Sequence, residues 1–168
     1  DTPYLKAKTN GTYLIGPNKR YMRDPETKKP LVWDEAAGDA RPFNVTDPEH
    51  MALKGDFEID GVKCRPSFAI LKEHLKNYTP EVAEEISTVP AEDIRRITKE
   101  FAEEARIGST ITIDGVNLPY RPVAAIAFRG AQGHMNSVYN FQAIDLLNKL
   151  VGAADVVGSC LGFNPTCY

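Results

Sequence analysis

The sequence predicts an α/β fold in which helices accompany a buried parallel strand. Residues 123–128 form a short and continuously apolar run, which is typical of a strand buried on both faces. Apolar residues recur at helical spacing after residue 66 and again over residues 137–151. We therefore expect a helical hairpin that leads into a strand–loop–helix unit. Taken alone, this segment with its turn-rich N-terminal extension is expected to look like an α+β fold.

Composition and charge are those of an ordinary globular chain. The 168 residues are 42% hydrophobic and 26% charged, enough for one domain or for one domain with an extension. The formal net charge is −3 and the cations are interspersed with acids, which argues against a nucleic-acid partner. Because no apolar run approaches the roughly 20 residues that cross a bilayer, no membrane insertion is expected. The chain begins at Asp1 instead of Met and is expected to be cut from something longer.

Residues 1–64 are interrupted by turn formers at short intervals, which excludes long helices. Short strands are predicted over 12–15, 31–33 and 57–59, with Asp60-Gly61 as a hairpin turn. This part has too few long apolar segments for a core of its own. Four aromatic residues are therefore expected to pack on a neighbouring surface: Tyr4, Tyr13, Trp33 and Phe43. The domain boundary is placed near residue 64.

Residues 65–168 are predicted to begin with three helices. Phe68, Leu71 and Leu75 recur at helical spacing in the first. Thr79 is the expected N-cap of the second, with Pro80 as its first residue. The third begins at Pro90, after Val89 as the expected N-cap. It carries the exposed pairs Glu92/Arg96 and Lys99/Glu103 and ends with Gly108 as its C′ residue.

A β-hairpin over residues 110–118 is predicted next, with Asp114-Gly115 as its two-residue turn. The buried strand 123–128 follows, and after its loop comes a helix from Ser137 to Val151 that Gly152 closes. Its inward face is expected to comprise Val138, Phe141, Ile144, Leu147 and Val151. The remainder, 153–168, is predicted to be loop.

The loop after the predicted strand carries the candidate chemistry. A helix that follows such a loop points its unpaired N–H groups at the sheet edge, where an anion is favoured. Glycines permit a close backbone approach or a positive φ, and polar side chains add donors. The candidate ligand-binding residues are Arg129, Gly130, Gln132, Gly133, His134, Asn136 and Ser137. The loop is neither a G-x-G-x-x-G fingerprint nor a Walker A loop. An ordinary connection capped by Asn136 or Ser137 is an equal alternative.

The other reactive side chains give weaker signals. Cys64, Cys160 and Cys167 form no C-x-x-C pattern and are interpreted as reduced structural thiols, so no metal site is predicted. His134 is interpreted either as a neutral imidazole that bonds an anionic ligand or as a loop histidine bonded to backbone. His50 and His74 are expected to be exposed and uninvolved. No catalytic residue is assigned.

Four landmarks follow one another along the chain, at residues 78–86, 89–97, 129–136 and 143–152. In this order they resemble the catalytic subunits of molybdopterin oxidoreductases of the dimethyl-sulfoxide-reductase type. The resemblance is strong over residues 66–164 and weaker over 1–65. This chain has Asn136-Ser137 where many members have Asn-Gly, and Val157-Gly158 where many have Pro-Gly. These departures concern individual contacts and leave the resemblance intact.

The resemblance implies an internal segment of a longer catalytic subunit that holds molybdenum or tungsten on molybdopterin guanine dinucleotide. The candidate loop would contact one such dinucleotide, and residues 161–164 would enter the next loop on the cofactor side. A 4Fe-4S cluster and the metal-ligating residue would lie upstream, so the segment alone is expected to be inactive. The implied partners are the remaining domains of the parent and an electron-transferring iron–sulfur subunit. A bacterial or archaeal cytoplasm or periplasm is the implied compartment.

A second interpretation places the chain in a different class of protein, a stand-alone nucleotide-binding or protein-interaction module without catalysis. An excised segment should expose unpaired sheet edges and apolar patches, whereas an evolved module should have these blunted. A stand-alone dinucleotide-dependent dehydrogenase is disfavoured, because no acidic residue suits the ribose at the required distance from a glycine fingerprint.

Overall fold

A computed structural model describes residues 1–127 and 129–159, without the side chains of Arg129 and Gln132. These residues form helices and small antiparallel sheets, a mixed α/β class as the sequence predicted. The chain divides into two compact units, Thr2–Val89 and Asp1 with the chain from Pro90 onward. Residue 64, near which the sequence analysis placed the boundary, lies inside a strand of the first unit. No helix in the described ranges is long and apolar enough to cross a membrane.

The first unit contains five strands and three α-helices. In chain order they are α1 (Thr2–Lys8), β1 (Leu14–Ile15), β2 (Leu31–Asp34), β3 (Asp39–Pro42), β4 (Phe57–Ile59), β5 (Val62–Pro66), α2 (Ser67–Leu75) and α3 (Pro80–Ser87). Short 3-10 helices at Phe43–Val45 and Pro48–His50 separate β3 from β4. The predicted short strands are confirmed. Helix α1 was not predicted, because it is complete before the first turn formers at Asn10-Gly11.

The strands of the first unit pair antiparallel. One sheet has the order β1-β5-β4, and β2 pairs with β3 in a separate hairpin. Asp60 and Gly61 join β4 to β5 with φ values of 50° and 77°, as the predicted two-residue turn requires. Thr79 caps α3 as predicted, since its hydroxyl accepts a hydrogen bond from the Val82 N–H at 3.4 Å.

The first unit has a hydrophobic cluster of its own. Leu14, Leu31 and Cys64 are buried at its centre. Trp33 stacks on Phe57 with ring centroids 4.4 Å apart. Tyr13 contacts the rings of Tyr21 and Phe43 at 5.5 and 5.1 Å. The expectation that Tyr13, Trp33 and Phe43 need a neighbouring surface is wrong, because short strands from distant parts of the sequence bring them together.

The second unit contains α4 (Ala91–Glu104), β6 (Thr110–Ile113), β7 (Val116–Pro119), α5 (Arg129–Gln132) and α6 (Ser137–Val151). The β6–β7 hairpin and its Asp114-Gly115 turn are confirmed, with φ values of 49° and 79°. The bounds of α6 are also as predicted. Gly152 closes α6 at a φ of 73°, and a Cβ there would lie 2.5 Å from the Asp1 carboxylate.

The predicted details of α4 are partly wrong. The N-cap is Pro90 instead of Val89, and Ala105 is the C-cap, so the C′ residue is Arg106, with a φ of 48°, and not Gly108. Arg96 contacts Asp93 and Glu100 instead of Glu92, because residues three and four apart share a helix face. The predicted Lys99–Glu103 pair is present at 3.8 Å.

Two predictions about the buried parts of this unit are corrected. Residues 122–127 belong to no helix or sheet in the described chain, so these residues do not form the buried strand predicted over 123–128, and Ile126 is 76% exposed. On α6, Val138 and Leu147 face solvent, whereas Asn148 and Val151 are buried. The local core instead comprises Ala105, Val151 and Ala153, with Phe101 and Val123 against it.

Candidate functional site

The segment at residues 122–127, which leads to the candidate loop, is held by a side-chain amide from α6. The Asn148 carboxamide oxygen accepts a hydrogen bond from the Ala125 N–H at 2.7 Å. Its nitrogen donates to the Ala125 carbonyl at 2.8 Å. A carboxamide offers the same donor and acceptor as a peptide group. Asn148 therefore occupies the place that a neighbouring strand would take, and it fixes the segment beside α6.

Arg121 anchors the other end of this segment. Its buried guanidinium donates through Nη1 to the carbonyls of Ser109 and Tyr120 at 3.0 and 2.7 Å. Through Nη2 it pairs with the Asp1 carboxylate at 2.7 Å, and both side chains are only 7% exposed. The Asp1 amine donates to the Leu150 carbonyl, and burial together with the Arg121 charge lowers the pKa of that amine. This network joins the end of β7 to the end of α6.

The loop itself is open. Helix α5 is only four residues long, and the turn that follows it is exposed up to Asn136, with Met135 97% exposed. A Cβ on Gly130 would meet no atom of the described residues within 4 Å. Packing within the described chain therefore does not require a glycine at position 130.

His134 is engaged within the loop. Its Nδ1 accepts a hydrogen bond from the Asn136 N–H at 3.3 Å, and its Nε2 lies 2.9 Å from the Asn140 Nδ2. A neutral imidazole that accepts at Nδ1 carries its proton on Nε2, so this contact becomes a hydrogen bond when the nitrogen and oxygen of the Asn140 amide are exchanged. These contacts match the interpretation of His134 as a loop histidine bonded to backbone. Asn140 was not among the predicted residues, because its only signal in the sequence is a polar side chain in the first turn of α6.

The start of α6 retains free donors. Asn136 is the N-cap residue, but its side chain makes no capping hydrogen bond, contrary to the capping alternative for this residue. The Ser137 N–H donates to the His134 carbonyl at 3.0 Å. The amides of Val138 and Tyr139 have no acceptor among the described residues. Two backbone donors therefore point out of an exposed helix start.

The remaining candidate residues lie elsewhere or are not described. The side chains of Arg129 and Gln132 are outside the described set, as are Cys160, Cys167 and residues 161–164. Cys64 is a buried free thiol of the first unit, and burial raises its pKa. Within the described residues, no three His, Cys, Asp or Glu side chains are placed to hold a metal ion.

Comparison with known proteins gives two large relatives. The chain is 32% identical over 151 residues to a sulfite dehydrogenase subunit of Allochromatium vinosum, a match that covers 80% of the chain. It is 31% identical over 162 residues to a selenate reductase subunit of Mesobacillus selenatarsenatis, a match that covers 86% of the chain. The matches span only 15% and 13% of these relatives. No protein-family profile matches the chain.

These relatives are enzymes of the molybdenum-cofactor class, which is the class that the four sequence landmarks predicted. The chain belongs to the molybdopterin oxidoreductase family.

Proposed function

We propose that this chain is an internal segment of the catalytic subunit of a molybdenum-dependent oxidoreductase. Its loop at residues 129–137 contributes part of the site for a molybdopterin guanine dinucleotide. The observation that carries the assignment of this loop is the open start of α6, where the amides of Val138 and Tyr139 have no acceptor among the described residues.

The residues present suit a pyrophosphate better than they suit a metal. Backbone N–H groups at a helix start favour an anion through both hydrogen bonding and the helix dipole. The exposed side chains of His134 and Asn136 border the same helix start, and the half-buried Ser137 is its first residue. The space over Gly130 admits a ligand close to the backbone. Arg129, Gln132 and Gly133 complete the proposed set by their position in the loop.

A bound molybdenum pterin would supply the two-electron chemistry of the enzyme. The residues of this chain would bind and orient the nucleotide end of the cofactor. A ligand that reaches the His134 ring at Nε2 would have to replace Asn140. The segment alone is proposed to be inactive, with the metal ligand, the 4Fe-4S cluster and the iron–sulfur partner supplied by the rest of the enzyme. Tungsten in place of molybdenum belongs to the same proposal.

The test uses the full-length subunit that contains this segment. We expect Gly130→Leu to reduce both the molybdenum content of the subunit and the guanine nucleotide released on denaturation, because the new side chain fills space that packing leaves empty. Ala102→Leu, at an exposed position on α4, is the matched control and should leave both quantities unchanged. Metal analysis by mass spectrometry and nucleotide analysis by chromatography give the two readouts. Full metal and nucleotide content in Gly130→Leu would show that the loop is not part of the cofactor site.

The substrate is a separate question. The names of the two relatives identify sulfite and selenate as the first compounds to assay with the full-length subunit. Turnover of either by the isolated 168-residue chain would contradict the proposal that the segment is inactive alone.

A further inference from the structure

Five cations cluster on two consecutive turns of the first unit. The basic surface, as we name it, comprises Lys19, Arg20, Arg23, Lys28 and Lys29. All five side chains are exposed, and none has a carboxylate partner within 4.0 Å among the described residues. Only two acids, Asp24 and Glu26, lie between them. The segment is thus strongly positive within a chain whose formal net charge is −3.

Backbone hydrogen bonds hold these turns in a fixed arrangement. The Met22 N–H donates to the Leu14 carbonyl at 2.8 Å, and the Leu31 N–H donates to the Met22 carbonyl at 2.9 Å. Residues 20–24 therefore run between β1 and β2, with one basic turn at each end. At about 3.3 Å per extended residue, the two turns are about 13 Å apart. The basic surface is an elongated strip.

Side-chain contacts stiffen the second turn. Arg23 Nη1 donates to the Lys28 carbonyl at 2.8 Å, and Lys28 Nζ donates to the Pro25 carbonyl at 2.7 Å. The Asp24 carboxylate accepts from both the N–H and the hydroxyl of Thr27. Asp24 forms no ion pair within 4.0 Å among the described residues, but the Thr27 hydrogen bonds and, to a smaller extent, the nearby Lys28 charge lower the pKa of its carboxyl.

The backbone of both turns favours residues other than lysine. Lys19 and Lys28 have φ values of 59° and 60°, in the left-handed region that disfavours a side chain with a Cβ. The hairpin between β2 and β3 places Gly38 in this conformation, and the β4–β5 hairpin places Gly61 there. The two turns of the basic surface thus carry charge at positions where a glycine or asparagine would be more favourable.

We propose that the basic surface docks an acidic surface of a partner polypeptide. Unpaired cations on a rigid strip attract an opposite charge and orient it before contact. The inference rests on the first unit and does not depend on the proposed cofactor loop.

Other anionic partners fit less well. Nucleic-acid-binding domains are basic overall, whereas this chain carries a formal net charge of −3. A membrane surface is bound by basic residues that accompany exposed apolar anchors, whereas Tyr21 and Met22 within this segment are half-buried. The strip therefore favours a folded or extended polypeptide with spaced carboxylates.

The test measures binding of fluorescein-labelled decaglutamate to the full-length subunit that contains this segment, by fluorescence anisotropy at low ionic strength. We expect Lys19→Asn/Lys28→Asn to weaken binding roughly fivefold or more, in line with the loss of two exposed charge pairs. Asparagine tolerates the left-handed conformation, and this gain offsets the loss of the exposed hydrogen bond from Lys28 Nζ to the Pro25 carbonyl, so the melting temperature should be unchanged. Loss of affinity without loss of stability would assign these lysines to binding.

The matched control is Lys8→Asn/Lys72→Asn, which removes the same charge from exposed helical positions of the same unit. We expect its affinity to change by less than about twofold, since isolated surface charges contribute little. Equal weakening in both double variants would overturn the proposal, because net charge alone would then explain binding. Absence of binding to the unsubstituted subunit would also overturn it, as would a lower melting temperature of Lys19→Asn/Lys28→Asn. Tighter binding of oligothymidylate or of phosphatidylglycerol vesicles than of decaglutamate would replace the polypeptide with that class of partner.

Discussion

Asn148 is the residue on which the position of the candidate loop depends most directly. Removing its carboxamide leaves the N–H and C=O of Ala125 without partners in a half-buried place. Losing two such hydrogen bonds costs about 2–3 kcal/mol. We therefore expect Asn148→Ala to lower the free energy of unfolding by about 2–3 kcal/mol, measured by urea denaturation.

Asn148→Asp is expected to remove only one of the two hydrogen bonds to Ala125. A carboxylate accepts from the Ala125 N–H but cannot donate to its carbonyl, so the Ala125 carbonyl loses its donor. The matched control is Asn117→Ala at an exposed position in β7, which should change the stability by less than about 0.5 kcal/mol. Equal stability of Asn148→Ala and Asn117→Ala would show that the two hydrogen bonds between Asn148 and Ala125 do not stabilise the segment.

Single polar residues were the part of the site that sequence patterns predicted least. Residue spacing on α6 predicts an apolar face, and it gives no reason to place a buried asparagine on that face. Asn148 acts on Ala125, which is more than 20 residues away in sequence. Arg121 likewise pairs with Asp1, the first residue of the chain. Asn140 likewise matters only through its contact with His134. Contacts between distant residues leave no periodic signal in a single sequence.

At the scale of elements, most local patterns predicted the structure correctly, apart from the caps of α4, whereas the non-local pairing was not predicted. Thr79-Pro80, Asp60-Gly61 and Asp114-Gly115 specify a helix start and two turns through their own backbone preferences. The apolar run at 123–128 has the composition of a buried strand, but a strand also needs a neighbour with which to pair. In the described chain the neighbour of Ala125 is a side chain from α6. Residues 123–127 of this run are therefore partly exposed and lie outside any sheet of the described chain.

The amides of residues 124–126 should alternate between fast and slow hydrogen exchange. The Ala125 amide is bonded to Asn148. The amides of Ala124 and Ile126 have no acceptor among the described residues. We expect the Ala124 and Ile126 amides of the 168-residue chain to exchange near the rate of unstructured chain and the Ala125 amide to exchange at least about tenfold more slowly. Residue-resolved exchange by NMR measures all three.

Asn148→Ala provides the control for this pattern, because it should bring Ala125 to the rate of its neighbours. Slow exchange at all three amides in the unsubstituted chain would contradict an open edge. In the full-length subunit, protection of Ala124 and Ile126 would indicate that another segment pairs with this edge.

At the scale of the whole molecule, exposed apolar side chains are distributed over both units. Ile86 on α3 is 77% exposed, and Ile126 and Tyr139 in the second unit are 76% and 73% exposed. Large exposed apolar groups in a chain that spans about one seventh of its relatives are consistent with surfaces that a longer subunit covers. The same residues make the isolated chain prone to associate with itself. The excised-segment interpretation of the sequence makes the same prediction.

We expect the 168-residue chain to form dimers or larger species as its concentration rises, measured by sedimentation velocity. Ile86→Glu/Ile126→Glu should shift this association to at least about tenfold higher concentration, because each charge disfavours the burial of apolar surface. Both positions are exposed, so the free energy of unfolding should change by less than about 1 kcal/mol. Thr98→Glu/Asn117→Glu, at exposed polar positions on α4 and β7, is the matched control for added negative charge. Equal suppression of association by this control would show that net charge is responsible. A chain that stays monomeric at all concentrations would show that its exposed apolar residues do not drive self-association. That result would support the interpretation of the chain as a stand-alone module.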